Sequence, residues 1–291
     1  MADTILVAGA TGNLGRRITQ ALKELGAKIR ALARTGSNPD KLAKLEQHGA
    51  EIVTLDMEDT SALTRACEGV ACVVSALQGL REVIVDTQSR LLHAAIAEGV
   101  PRFIPSDYAI DYTKLPAGEN RNLDLRREFQ ERIDGSSIAA TSVLNGAFAE
   151  LLTSAMPLLD FKAKQVRHWE NADQPLDFTT MDNTAAFTAA VAMDTATPRF
   201  LRIAGDTISA RELATLTGFE LVRLGSLDDL TALIVHTRAA DPESEKEEYP
   251  AWQGMQYMHN MFSGRAKLEP LDNDRYPTLQ WTSVPNVLTA R

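Results

Sequence analysis

Three glycines at a spacing of three, Gly9, Gly12 and Gly15, lie between an apolar run, Thr4–Ala8, and an amphipathic stretch. Each position in Val7-Ala-Gly9-Ala-Thr-Gly12-Asn-Leu-Gly15 has its own physical task. Gly9 permits the tight turn off a strand. Gly12 removes a side chain where backbone must approach a pyrophosphate, and Gly15 lets a helix pack closely on a sheet. The helix start adds free N–H donors and a positive dipole end, both of which favour phosphate. A lone three-glycine match is weak. Here the preceding strand, the following helix and the place at the start of the chain all agree, and a dinucleotide-binding loop is predicted.

The rest of the first half supports a parallel sheet with crossover helices. Strands are predicted at Thr4–Ala8, Lys28–Ala33, Ile52–Leu55, Ala71–Ala76, Arg102–Pro105 and Ile138–Leu144. The first helix should bury Leu14, Ile18, Ala21, Leu22 and Leu25 and stop at Gly26. Asp59-Thr60-Ser61 should open another, which Gly69 ends. Further on, Asp177–Thr180 reads as a strand, Asp182–Met193 as a helix and Phe200–Ala204 as a strand, all expected to return to the same sheet. Ser209 and Glu212 form a capping box. The expected fold class is α/β, a doubly wound parallel-sheet Rossmann domain (1–150 and 178–204) with a smaller C-terminal substrate lobe (151–177 and 205–291).

Cofactor choice is legible after the second strand. An NAD site carries an acid there for the ribose 2′-hydroxyl. This chain has Arg34, then Thr35, Ser37 and Lys41. A guanidinium matches a 2′-phosphate through paired, charge-assisted hydrogen bonds, so NADP(H) is the expected cofactor. The predicted cofactor contacts are Gly9, Thr11, Gly12, Asn13, Leu14, Gly15, Arg34, Lys41, Ser75, Ala76, Leu77, Gln78, Ser106 and Asn145. The last six stand at carboxyl ends of strands, where open α/β sheets hold ligands.

Composition excludes other classes. A net charge of −9 disfavours a nucleic-acid partner. No apolar run approaches a membrane span, and the N-terminal residues lack the pattern of a secretory leader, so no membrane association and a cytoplasmic location are expected. Two cysteines, Cys67 and Cys72, make no disulfide framework. The five histidines show no metal-ligand spacing, so no metal is expected, and His93 reads as a packing residue. Asp107 and Asp111 form no distinctive carboxylate pair, and there is no G-x-S-x-G elbow. The charged run Asp241–Glu248 reads as a solvated loop or helix start. The apolar stretch Trp252, Met255, Tyr257, Met258, Met261, Phe262 reads first as core and second as a lid over an aromatic substrate.

Taken in order, GATGNLG (9–15), Arg34, VVSAL (73–77), GVPRFIPSDY (99–108), NGAF (145–148) and DFTTMDNTAAF (177–187) resemble the NmrA-like and isoflavone-reductase-like branch of the atypical short-chain dehydrogenases. The resemblance runs over about residues 3–205. It implies either an NADPH-dependent reductase of a small aromatic, enone or quinone-like compound or a nonenzymatic NADP(H) redox sensor with a protein partner. The Tyr-x-x-x-Lys pair of standard short-chain dehydrogenases is missing, since Tyr108 is followed by Tyr112. That absence also argues against a sugar-nucleotide epimerase or dehydratase. Arg126 aligns with the lysine of the isoflavone-reductase-like enzymes. An arginine keeps the charge and does not readily release a proton. Tyr108, Tyr112 and Lys114 are the alternative proton donors. Tyr108, Phe148, Trp252, Met255 and Met258 are the predicted substrate contacts.

Overall fold

The computed structural model describes residues 3–154 and 156–290. In chain order it contains β1 (Thr4–Ala8), α1 (Asn13–Glu24), β2 (Lys28–Arg34), α2 (Pro39–Gln47), β3 (Glu51–Leu55), α3 (Thr60–Cys67), β4 (Val70–Ser75), α4 (Gln88–Ala97), β5 (Arg102–Ile104), α5 (Arg121–Asp134) and β6 (Ala139–Ala140). There follow β7 (Ser142–Leu144), β8 (Ala147–Phe148), β9 (Leu159–Asp160), β10 (Gln165–Trp169), β11 (Leu176–Thr179), α6 (Met181–Met193), β12 (Phe200–Arg202) and β13 (Asp206–Ile208). The chain ends with α7 (Ala210–Thr217), β14 (Glu220–Gly225), α8 (Leu227–Ala240), α9 (Ala251–Phe262) and α10 (Val284–Thr289).

Two compact units result. The first takes residues 1–107, 125–143 and 182–201, and the second takes 108–124, 144–181 and 202–291. The division differs from the expected one mainly at 108–124 and 144–150. Hydrogen bonding explains it. Arg202 holds Asp111, and the N–H groups of Asn145 and Gly146 both donate to Ala109 O.

In the first unit, six parallel strands lie in the order β3-β2-β1-β4-β5-β6. The order reverses between β1 and β4, so the carboxyl ends of those strands form a switch point where such sheets hold ligands. One core cluster of this unit joins Leu6, Leu32, Leu63, Val73, Leu91, Phe103, Phe129 and Ile133. The Phe103 and Phe129 rings sit 6.1 Å apart at a tilt of 45°. Helix α1 buries Ile18 and Leu22 as predicted. Leu25 is its C-cap and half exposed, because the αL residue Gly26 turns the chain away one position later. His93 is also exposed on α4, so it is not a packing residue.

The run Ile138–Leu144 is not one strand. It divides at Thr141 into β6, which joins the main sheet, and β7, which pairs with β12. Nor do Asp177–Thr180 and Phe200–Ala204 return to the main sheet. β11 lies between β13 and β8 in a separate three-stranded sheet, and among the described residues β12 pairs only with β7. The main sheet closes at a two-residue strand, too short to template another neighbour. Arg102 anchors that edge, donating to the carbonyls of Val191 and Ala192 near the end of α6.

Buried carboxylates with cationic partners help to hold the second unit. Asp111 is fully buried and accepts from Arg202 Nε at 2.6 Å and from Thr113 N and Oγ1. Asp177 accepts from Lys267 Nζ, Thr207 Oγ1 and Leu268 N. The Ser209–Glu212 capping box forms as predicted, and Ser226 and Asp229 form a second at the start of α8. Residues Pro242–Lys246 of the charged run adopt a short 3-10 turn. Removing one partner of a buried pair strands the other's charge. Arg202→Met should therefore destabilise the protein by about 3 kcal/mol in urea unfolding, against under about 1 kcal/mol for Arg211→Met at an exposed pair.

Candidate functional site

The glycine loop follows β1 and starts α1, with its three glycines in distinct environments. Gly9 has φ +79°, and a Cβ there would lie 2.4 Å from Ala76 O. A Cβ on Gly15 would lie 2.2 Å from Gly9 O. These two glycines are demanded by the protein's own backbone. Gly12 is different: it is exposed, has an ordinary φ of −75°, and its Cβ would meet only Gly9 O at 3.1 Å. Its N–H donates to Gly9 O, which closes the turn. Gly12 is also the N-cap of α1. No side chain caps this end and no acid stands in its first turn. The positive pole of the helix is thus left to an external anion, with Thr11, Asn13 and Leu14 beside it on the chain.

Strand β2 ends at Arg34, which is exposed and makes no side-chain hydrogen bond or ion pair among the described residues. Its carbonyl accepts from Ser37 N, forming the turn to α2. Asn38 caps α2 and accepts from the backbone N–H of Lys41, whose ammonium is exposed. Two unpaired cations, one at the end of β2 and one in the first turn of α2, therefore flank the turn where an NAD site would have an acid.

Strand β4 delivers Ser75, Ala76, Leu77 and Gln78. Ser75 is fully buried and its Oγ has no partner. Ser106, after β5, donates from Oγ to Leu77 O at 2.7 Å and from its backbone N–H to Gln88 Oε1 at 3.0 Å. Gln88 is presented by a π-helical turn, Glu82–Thr87, that runs into α4. Its Nε2 donates back to Ile84 O. Glycines and strand ends foretell the loop, whereas the π-turn and the Gln88 bridge leave no sequence signature. Such turns are recurrent near functional sites.

In the second unit Asn145 is fully buried, and neither Oδ1 nor Nδ2 has a hydrogen-bond partner. Gly146, at φ +70°, brings the chain against Asp177 O, where a Cβ would lie at 2.4 Å. This close approach sets β8, with Phe148, parallel to β11. Tyr108 is buried. Lys114 is committed elsewhere: its ammonium donates to Lys267 O at 2.7 Å and Glu269 O at 3.3 Å and lies 3.5 Å from Asp111. Arg126 is buried on the part of α5 that belongs to the first unit. Asp107 and Asp111 serve separate networks, the former accepting from Ser142 Oγ at 2.6 Å.

Helix α9 is built into the interior. Trp252 is buried, donates from Nε1 to Ser244 Oγ, and lies under the guanidinium groups of Arg121 and Arg238 at 4.6 and 4.4 Å. Met258, Met261 and Phe262 are buried with it, while Met255 is partly exposed. A polar seam along the same helix escaped the sequence reading: Gln253 and Asn260 both hydrogen-bond Asn120, ahead of α5. Among the described residues, no cluster of three or more His, Cys, Asp or Glu is placed to hold a metal, and no helix is long and apolar enough to cross a membrane.

The family model of the NmrA-like family matches residues 1–221. The chain belongs to the NmrA-like family. A curated relative, pinoresinol reductase 1 of Arabidopsis thaliana, is 30% identical over 237 residues, covering 76% of this chain and 72% of the relative. Among solved structures, AtPrR2 with NADP+ and (+)pinoresinol superposes with a TM-score of 0.81 at 23% identity, covering 100% and 99% of the two chains. The leucoanthocyanidin reductase–NADPH complex from Vitis vinifera does so with a TM-score of 0.80 at 20% identity, covering 99% and 98%. At these identities the two structures establish the NmrA-like chain's α/β fold.

Within this fold, then, the glycine loop has two structural glycines and one that the protein itself barely needs. Gly15→Ala should cost at least about 2 kcal/mol in urea unfolding, because backbone must move. Gly12→Ala should leave stability within about 1 kcal/mol and reduce dinucleotide affinity by at least about tenfold, read by calorimetric titration. Equal effects of the two substitutions on stability would contradict this division of labour.

Proposed function

We propose that this chain is an NADPH-dependent reductase of a small aromatic, enone or quinone-like compound. The observation that carries it is the pair of unpaired cations, Arg34 and Lys41, beyond β2, combined with an uncapped α1 behind the glycine loop. Those features fit a dinucleotide bearing a 2′-phosphate. The backbone N–H groups of the first turn of α1 hold the diphosphate, Gly12 leaves room for it, and Arg34 and Lys41 pair with the 2′-phosphate. Ser75 Oγ and the Asn145 amide are buried without partners, at a cost that a polar ligand removes. Pinoresinol reductase 1 and the complexes with NADP+ and NADPH support the same reading.

When bound, the reduced nicotinamide supplies a hydride to the acceptor. The chain's residues position and polarise. Ser106 fixes Leu77, and so the segment after β4, through its 2.7 Å hydrogen bond. Tyr108, Phe148 and Met255 are the proposed acceptor contacts, with Trp252 and Met258 shaping the interior behind Met255. Arg126 polarises the acceptor carbonyl or orients the cofactor ribose. Lys114, with its donors already committed, is a poorer proton source than Tyr108. Both thiols are buried and inert, Cys67 pushed up to about 11 and Cys72 to about 12, chiefly by desolvation. Redox responsiveness therefore resides in the cofactor rather than in cysteine chemistry. A cytoplasmic setting accords with these free thiols.

Stopped-flow absorbance of the reduced nicotinamide, against a panel of aromatic carbonyls, enones and quinones, tests the proposal. Multiple turnovers with at least one class are expected. Arg126→Lys should raise turnover if proton delivery limits the reaction, because an ammonium releases a proton more readily than a guanidinium. If Arg126 orients the ribose, the same change weakens NADPH binding and leaves turnover per bound cofactor unchanged. No oxidation by either protein across the panel, with a protein partner whose binding differs between NADP+ and NADPH, would replace the reductase with a redox sensor.

A further inference from the structure

Helix α4 carries a polar side chain where its pattern calls for an apolar one. Gln88, Leu91, Leu92 and Ala95 follow the i, i+3, i+4, i+7 spacing of one helical stripe, and all four are buried. Gln88 is fully buried, which is costly for an amide unless its donor and acceptor are both paired. Both are. Nε2 donates to Ile84 O at 2.6 Å, and Oε1 accepts from Ser106 N at 3.0 Å. The π-helical turn Glu82–Thr87 leads directly into this residue. The backbone N–H of Gln88 reaches Val83 O, five residues back, while its side chain takes Ile84 O, four residues back. On either side, Thr87 Oγ1 donates to Glu82 O at 2.8 Å and Ser89 Oγ to Val85 O at 2.6 Å. Three consecutive side chains thus fasten the wide turn.

The bridge reaches the segment that follows β4. Ser106 Oγ donates to Leu77 O at 2.7 Å. One residue earlier, Ala76 N donates to Ala8 O, and a Cβ on Gly9 would lie 2.4 Å from Ala76 O. Two residues later, Gly79 lies against Val83, where a Cβ would come within 2.6 Å of Cγ2. The run Ala76–Gly79 is therefore held between the glycine loop, Ser106 and the π-helical turn, and Gln88 joins the last two. In a sheet of this strand order one mononucleotide lies over each half. Resting on the NADP(H) reading, with Arg34 and Lys41 beyond β2, the adenosine half belongs to the β3-β2-β1 side. The nicotinamide half then belongs to the ends of β4 and β5. We propose that Gln88 is a positioning residue for the nicotinamide half of the cofactor. It acts through Ser106 rather than by contact, since both ends of its amide are engaged within the protein. Oε1 places Ser106, Ser106 Oγ fixes Leu77, and the backbone of residues 76–78 receives the nicotinamide half. The amide is retained on an apolar stripe because an apolar side chain could not hold the Ser106 N–H.

Calorimetric titration with NADPH and with adenosine 2′,5′-bisphosphate, which carries the 2′-phosphate and lacks the nicotinamide, tests the assignment. Gln88→Met keeps the length of the side chain and removes both hydrogen bonds. It should weaken NADPH binding roughly five- to tenfold, the effect of losing one hydrogen bond, and leave bisphosphate affinity within about twofold of wild type. Gln88→Glu keeps an acceptor for Ser106 N and should hold the ratio of the two affinities near its wild-type value, even with lowered stability. A packing role alone predicts the reverse order, because Met is apolar and Glu buries a charge. Ser106→Ala removes only the link to Leu77 and should show the same selective loss. In that background Gln88→Met should add little, as expected of two links in one chain. The milder variant preserves the test if Gln88→Met does not fold: unchanged selectivity in Ser106→Ala overturns the proposal. Equal weakening of both ligands by Gln88→Met, or of neither, overturns it while leaving the dinucleotide site standing. Wild-type protein that binds neither ligand overturns the cofactor reading itself.

Discussion

The close approach of α1 to the turn after β1 governs the architecture of the first unit. Gly15 packs so tightly on Gly9 O that a single added carbon would stand 2.2 Å away, and Gly9 is pressed as closely on Ala76. These contacts tie β1, α1 and the end of β4 into one corner. The sheet reverses its strand order at that corner, between β1 and β4. The helix dipole, the switch point and the open side of Gly12 consequently meet by construction. The diphosphate site proposed there would need no dedicated side chain, since the packing alone leaves backbone N–H groups and a helix pole open to an anion.

The second unit rests on different physics. Its ladders are short, the longest strand being the six residues of β14, and its organisation leans on buried carboxylates with fixed cationic partners. Arg202 on Asp111 and Lys267 on Asp177 join segments about 90 residues apart in sequence. Lys114 belongs to the same scaffold. A lysine near Tyr108 in sequence thus proves to be part of the framework. Asn145 shows the contrary case, a side chain at the start of β8's approach whose polar atoms the chain leaves unmatched.

The Rossmann half was legible because its signals are local. Period-two runs, the three glycines, and caps at Asp59 and Ser209 each depend on a few neighbouring residues, and each appears where expected. The failures are non-local. Whether Asp177–Thr180 joins the main sheet depends on where that sheet stops, and it stops at a two-residue strand because the chain breaks at Thr141. His93 fits an apolar helical pattern yet faces solvent. The Gln88 bridge requires a π-helical turn whose sequence, Glu82–Thr87, reads as ordinary helix. Trp252, Met258, Met261 and Phe262 are core as their spacing suggests, while Met255 and Tyr257 are only partly buried, and the asparagine and glutamine seam on the same helix has meaning only once Asn120 is seen beside it.

The central claim is that the first unit selects a dinucleotide carrying a 2′-phosphate. Isothermal titration of NADPH and NADH, on wild-type protein and on Arg34→Ala, tests it most directly. The account predicts tighter binding of NADPH by the wild type and a loss of about 1.5–3 kcal/mol of that preference in the variant, the worth of hydrogen bonds to a charged group. NADH affinity should be nearly unchanged. Equal affinities for the two cofactors in the wild-type protein would contradict the assignment.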